Sequence, residues 1–160
     1  MRVILTAIGR LKAGPERDLC ARYMERAAAS ARSIGLTGVD LRELEEGRAR
    51  RAEDRKVEEA RAVRAQIPPG ARLILLDERG KNLTSEAFAQ DLARSRDAGA
   101  PGFVIAIGGP DGFDPDLRAQ ADLVAAFGAM TWPHQLVRIM AAEQIYRAIT
   151  ILSGHPYHRA

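Results

Sequence analysis

The sequence is short of most residues that announce a chemistry. There is one cysteine in 160 residues, Cys20, so no internal disulfide can form, and the chain fits a reducing, cytoplasmic compartment. Cys20 falls in a helical stretch and reads as a small buried hydrophobe. No apolar run approaches the roughly 18 residues that span a bilayer, and no membrane partner is expected. The opening MRVILTAIG is too short for a secretory signal and runs into charged, helix-forming sequence, so it reads as a buried first strand. G-x-G-x-x-G is absent, and so is a Lys-Ser/Thr pair after a glycine loop, which excludes the dinucleotide fingerprint and the phosphate loop. There is no G-x-S-x-G elbow and no H-E-x-x-H spacing, which leaves little room for an esterase-like hydrolase or a zinc enzyme. No metal is expected. Repeats, linkers and low-complexity stretches are also missing.

What is present is an ordinary globular balance, 46% hydrophobic and 28% charged, in a length that suits one domain over 1–160. Of the 24 basic residues, 21 are arginine, whose fork binds two phosphate oxygens at once. Codon bias toward arginine is the plain alternative. Residues 1–70 hold 15 Lys+Arg against 11 Asp+Glu, and residues 71–160 hold 9 against 10. The excess permits a polyanionic partner without demanding one.

Buried strands are expected at 2–8, 71–78 and 102–109, an alternating one at 38–44, and a further one at 122–128. Helices are expected from Pro15 to Ala31, over 48–67 before Pro68-Pro69-Gly70, from an N-cap at Thr84 to Ala98, and over 134–154, ended by Gly154. The closing helix is apolar on several faces, which points to burial on more than one side and, in a chain this small, to a second subunit. Alternating strands and helices make an α/β fold, a mostly parallel sheet with helices on both faces.

Three stretches look chemical. LILLDERGKNLTSEAFAQ (73–90) runs a buried strand into Asp77, Glu78 and Gly80, and open α/β sheets bind ligands at the carboxyl ends of strands. IAIGGPDGFDP (105–115) breaks a strand into paired glycines, where backbone can approach a ligand. AAFGAMTWPHQLVRI (125–139) is an apolar, aromatic loop before a helix, suited to a flat heterocycle. Taken singly, each is also what a polar turn, a strand-end turn or ordinary core looks like. The end of the chain, SGHPYHRA (153–160), collects two histidines, a tyrosine and an arginine where plain polar residues are the rule.

VIAIGGPDGF, MTWPHQLVRIMAAEQIYRAITI and GHPYHR, in this order and with LLDERGK upstream, closely resemble the ribosomal RNA large subunit methyltransferase H family of the SPOUT class. The likeness covers essentially the whole chain and is strongest after residue 70. It implies a single-domain SPOUT fold with a C-terminal trefoil knot built from the segments around 73–80, 105–112 and 125–135. General fold rules would reject such a knot, and it is expected on the resemblance alone. The resemblance also implies a homodimer that uses S-adenosyl-L-methionine to methylate N3 of a pseudouridine in helix 69 of 23S rRNA, on assembled ribosomes. The cofactor would lie against Leu76, Gly108 and the loop Phe127, Gly128, Ala129, Met130, Thr131, Trp132. His155, Tyr157, His158 and Arg159 would serve catalysis, in the partner's active site. The competing reading is a non-enzymatic RNA- or ribosome-binding α/β protein, favoured by the basic N-terminal half.

Overall fold

The computed structural model describes residues 1–159. Five strands form one parallel sheet in the order β2-β1-β4-β3-β5. They are β1 (Arg2–Ile8), β2 (Gly38–Leu44), β3 (Arg72–Asn82), β4 (Gly102–Ile107) and β5 (Leu123–Ala126). The helices are α1 (Pro15–Ser30), α2 (Ala52–Arg64), α3 (Ser85–Asp97), α4 (Pro115–Gln120) and α5 (His134–Ser153), with a 3₁₀ turn at Ala31–Ile34. The alternation of side chains along each strand divides the core in two. Val3, Leu5, Ile74, Phe103 and Ile105 pack on Met24, Leu92, Ile145 and Ile149 of α1, α3 and α5. On the opposite face, Ile4, Leu73, Leu75, Val104 and Ala106 pack on Ala60, Val63 and Leu117 of α2 and α4. The α/β fold with helices on both faces therefore stands as read. Cys20 is 1% exposed, and burial pushes its thiol pKa up, with Arg138 opposing and Glu43 adding to the shift. It is a buried hydrophobe.

Several boundaries differ from the sequence expectation, each for a local reason. The helix expected over 48–67 is only Ala52–Arg64. Starting it at 48 would set Arg48, Arg50 and Arg51 against the positive end of the helix dipole. Instead the Gly47 N–H donates to Glu59 and the Arg48 and Ala49 N–H groups donate to Glu58. Beyond Arg64 the N–H groups of Gln66 and Ile67 bond three residues back, to Val63 and Arg64, a tightened last turn that Pro68 closes. The strand expected at 102–109 stops at Ile107, and Gly109 and Gly112 bridge each other in a tight turn, Gly112 at φ +81. The strand at 122–128 is Leu123–Ala126, ended by Gly128 at φ +94. Helix α4 was not expected at all. Its signal was legible, however: Asp114 accepts from the Leu117 N–H at 3.0 Å and Pro115 opens the first turn. Thr84 caps α3 as read, accepting from the Ala87 N–H at 3.1 Å.

Most of the apolar surface of α5 is met inside the chain, with Leu136 near its start left 40% exposed. Residues of α1 and α3 pack on it from two sides, and Ala142, Ile145 and Ile149 are buried in that core. These faces alone therefore do not require a second subunit.

β3 runs longer than the expected 71–78. Leu76 pairs with Ala125 of β5, the register breaks, and Lys81 pairs with Ala125 again. One residue of β5 is thus addressed by β3 on both sides of the 77–80 excursion. Gly80 sits so close to this crossing that an added Cβ would lie 2.5–2.7 Å from the Ala125 backbone.

Candidate active site

The carboxyl ends of β3, β4 and β5 open into one cavity of about 660 Å³. Three loops build it. After β3 come Leu76 to Arg79, after β4 come Ile107 to Phe113, and after β5 come Ala125 to Gly128 and Met130 to Trp132, joined by His134 and Val137 of α5. Parallel strands all present their carboxyl ends to one side of the sheet, so loops far apart in sequence meet there. The walls are apolar (Leu76, Ile107, Phe113, Phe127, Trp132, Val137), and the rim carries charge of both signs.

Of the residues expected to hold a cofactor, Leu76, Gly108, Phe127, Gly128, Met130, Thr131 and Trp132 line this cavity, whereas Ala129 is not among the lining residues. The 127–132 loop is braced on itself and on β3. The Trp132 indole N–H donates to the Phe127 carbonyl at 3.0 Å, the Gly128 N–H donates to Asn82 at 3.2 Å, and the Thr131 hydroxyl donates to Glu78 at 3.1 Å. Met130 stays 74% exposed at the mouth.

The paired glycines serve the fold more directly than open space for a ligand would suggest. A Cβ on Gly108 would meet the Phe113 ring at 3.3 Å, and one on Gly109 would come within 2.7 Å of the Glu59 carboxylate. Backbone approaches side chains of the protein itself here, and one of them, Phe113, lines the cavity. Asp111 and Phe113, which fall within the 105–115 stretch, line the cavity, and so do Lys56 and Arg118, which sequence does not single out. Arg118 pairs with Asp77 at 2.6 Å. Arg55 clasps Asp111 through two bonds, at 2.7 and 3.1 Å, and also donates to the Ala49 and Arg50 carbonyls. That guanidinium holds the Asp111 carboxyl below its usual range. Only the sequence separation of 55 and 111 hid this clasp.

Glu59 stands behind the glycine turn, 5% exposed. Its Oε1 accepts from the Gly47 N–H at 2.9 Å, and its Oε2 is buried without a partner. Burial pushes its pKa up, against the Gly47 bond. A carboxyl whose folded pKa is raised binds its proton more tightly in the native state, so its ionisation costs stability as pH rises above the unfolded value. Glu59→Gln is therefore expected to raise the melting temperature at pH 7 to 8, with the gain shrinking toward pH 4, where Glu59 is protonated. A pH-independent difference in thermal unfolding would contradict this account of Glu59.

Arg138 is another buried charge that sequence did not single out. It is 2% exposed on α5, pairs with Glu43 at the end of β2, and donates to the Ile8 and Gly9 carbonyls at 3.3 and 3.1 Å. Glu43 also accepts from the Leu11 N–H at 2.9 Å. The first turns of α5, which carry His134 and Val137 into the cavity, are thereby tied to the ends of β1 and β2. Among the described residues no group of His, Cys, Asp and Glu could hold a metal ion, and no helix is long and apolar enough to cross a membrane.

The four tail residues lie elsewhere. His155, Tyr157, His158 and Arg159 follow α5, and none lines the cavity of their own chain. Tyr157 and His158 rest on α1, α3 and α5, with Tyr157 against Tyr146 and His158 against Glu86.

The family described as "Predicted SPOUT methyltransferase" matches residues 1–158. Curated proteins named "Ribosomal RNA large subunit methyltransferase H" are 58% identical in Sinorhizobium medicae, 56% in Beijerinckia indica and 55% in Mesorhizobium japonicum, each over 160 residues and all of both chains. A solved structure of the SpoU methyltransferase AviRb from Streptomyces viridochromogenes, in complex with the cofactor AdoMet, aligns with a TM-score of 0.38 at 15% identity, covering 92% of this chain and 57% of that one. That likeness is too low to carry an argument.

Proposed function

This chain belongs to the SPOUT methyltransferases, within the ribosomal RNA large subunit methyltransferase H family, and we propose that it transfers a methyl group from S-adenosylmethionine to 23S rRNA. The observation that carries this reading is the cavity at the ends of β3, β4 and β5, lined by seven of the eight residues expected to hold the cofactor. Its donor set fits that group. Phe127, Leu76 and Trp132 offer apolar surface for a flat base, backbone edges of the glycine and 127–132 loops can read its polar rim, and Glu78, the lining carboxylate that accepts from Thr131 and has no ion-pair partner among the described residues, leaves negative charge for a cation.

When bound, the cofactor supplies a methyl already activated on a sulfonium, so the protein's task is mainly orientation. The braced 127–132 loop and the clasped 108–112 turn would hold it for in-line attack, and alignment of this kind supplies much of the acceleration. The finer reading is N3 of a pseudouridine in helix 69, methylated on assembled ribosomes in the cytoplasm by one methyltransferase domain over 1–160. The attacking nitrogen must then shed a proton, and His155, Tyr157, His158 and Arg159 are proposed to serve that step in the partner's active site. The proposed homodimer is supported by Met130, Trp132 and Leu136, three large apolar residues at 74%, 40% and 40% exposure beside the cavity mouth. Light scattering at micromolar concentration should give twice the 17.5 kDa chain mass; a monomer would count against it. The proposed trefoil knot is supported by the double registration of Ala125 against Leu76 and Lys81.

Calorimetric titration with S-adenosylmethionine separates this reading from a non-enzymatic RNA-binding protein, which has no use for that ligand. Gly108→Val should weaken binding by about tenfold or more, a loss of roughly 1.4 kcal/mol, while the fold survives. The new side chain pushes on the Phe113 ring that walls the cavity. Absence of S-adenosylmethionine binding by the unaltered protein would sink the proposal.

A further inference from the structure

The four tail side chains are not equivalent. Gly154 ends α5 at φ 71, and the His155 N–H returns to the Thr150 carbonyl at 2.9 Å. The Tyr157 ring then lies against Tyr146, centroids 4.7 Å apart, with the guanidinium groups of Arg26 and Arg147 at 5.1 and 4.9 Å from its centre. Its hydroxyl donates to Glu143 Oε1 at 3.0 Å, the oxygen that also accepts from Arg147. Burial pushes the Tyr157 phenol well above its usual range, and hydrogen bonding by Tyr23 and Glu143 acts the same way. The phenol therefore keeps its proton.

His158 is held from both sides. An Arg147 N–H lies 3.3 Å from Nδ1, and Glu86 Oε1 lies 2.9 Å from Nε2. Arginine has no acceptor, so Nδ1 must accept, and Nε2 carries the hydrogen donated to Glu86. Both ring nitrogens are occupied. By contrast, His155 is exposed and, among the described residues, its side chain engages only through Nδ1, which accepts from the Tyr157 N–H at 3.1 Å. Arg159 is exposed, with no ion-pair partner among the described residues.

We propose that Tyr157 and His158 are positioning residues, anchored by Glu143 and Glu86, and that they present His155 and Arg159 to the RNA substrate. The division rests on the reading that the tail serves methyl transfer. His155 offers an imidazole nitrogen without a partner among the described residues to the base edge, and Arg159 an unpaired fork, likewise among the described residues, for phosphate or a developing anion.

A double-mutant cycle tests the anchor. Full-length protein, S-adenosylmethionine and ribosomes from a strain lacking this chain are used to measure kcat, KM and cofactor affinity for Tyr157→Phe, Glu143→Ala and the pair. Anchoring predicts that each single change lowers kcat by about 10- to 100-fold, the scale of a reacting group shifted by about an ångström. The pair should be no worse than either alone, Glu143→Gln (which keeps an acceptor for the phenol) should recover part of the loss, and cofactor affinity should hold. Glu86→Ala, on the exposed first turn of α3, makes the same test at His158 if Glu143→Ala does not fold. Losses that multiply in the pair would make Tyr157 a substrate contact, and an unchanged kcat in Glu143→Ala or Glu86→Ala would overturn the anchor. If the unaltered protein transfers no methyl to ribosomes, the functional reading itself falls and takes this division with it.

Discussion

Gly80→Ala is expected to destabilise the protein by about 3 kcal/mol or more, at the upper end of what overpacking costs, and to lower the melting temperature by roughly 6–12 °C. A Cβ at residue 80 would lie 2.5 Å from the Ala125 carbonyl carbon and 2.7 Å from its nitrogen and oxygen. Those are backbone atoms of a strand paired to β3 both before and after residue 80, so no flexible side chain can yield. Relief requires β5 or the 77–80 excursion to move. Ala125 and Ala126 line the cavity, so the same movement should weaken cofactor binding beyond what the stability loss explains. Thermal unfolding within about 1 kcal/mol of the unaltered protein, together with unchanged affinity for S-adenosylmethionine, would show that the close pass at residue 80 has no such role.

Removal of residues 155–160 is expected to leave cofactor affinity nearly unchanged and to reduce kcat by roughly 10² to 10⁴, the range of acid–base contributions. The loops proposed to hold the cofactor all lie upstream, and none of residues 155–159 lines the cavity of its own chain. Gly154 already ends α5, so no regular structure goes with the deletion. What is lost is the cover of Tyr157 over Tyr146, its bond to Glu143 and the His158–Glu86 contact, which should cost a modest part of the stability. The split between parameters separates two roles. A collapse of kcat at unchanged KM places the tail in the transition state, and a raised KM with kcat preserved makes it a grip on RNA. A truncated protein that methylates ribosomes at the normal rate would remove the tail from the mechanism.

The parts of this molecule that were legible in the sequence are those fixed by local pattern. β1 and β2 are found over the expected residues because their side chains alternate or crowd in runs of branched residues, and α5 ends at Gly154 because only glycine takes that left-handed turn at no steric cost. The parts that were not legible depend on contacts between distant segments. Gly80, Gly108 and Gly109 are plain glycines in sequence. Their reasons are Ala125, Phe113 and Glu59, which the fold brings beside them. The early end of β4 and the late end of β3 are set by pairing across the sheet rather than by composition. The helix expected over 48–67 begins only at Ala52, because opposite charges three or four residues apart suggest helix all along the stretch and do not show that its first arginines would stand at the positive end of the dipole. The three loops proposed to hold the cofactor are legible as strand ends that run into acids, paired glycines or aromatics, and also through the family resemblance, whereas their convergence on one cavity is set by the fold. The tail was marked as unusual from composition, but which of its side chains are tied down and which are free depends on Glu143, Arg147 and Glu86, spread over two helices.

The central claim is that this chain methylates 23S rRNA. The most direct measurement is mass spectrometry of 23S rRNA from cells with and without the protein, followed by incubation of the deficient ribosomes with purified protein and isotopically labelled S-adenosylmethionine. The account predicts that one methyl group, on a pseudouridine in helix 69, is absent from the deficient rRNA and is restored with label by the purified protein. Identical methylation of the two rRNAs, with no label transferred to ribosomes, would contradict it.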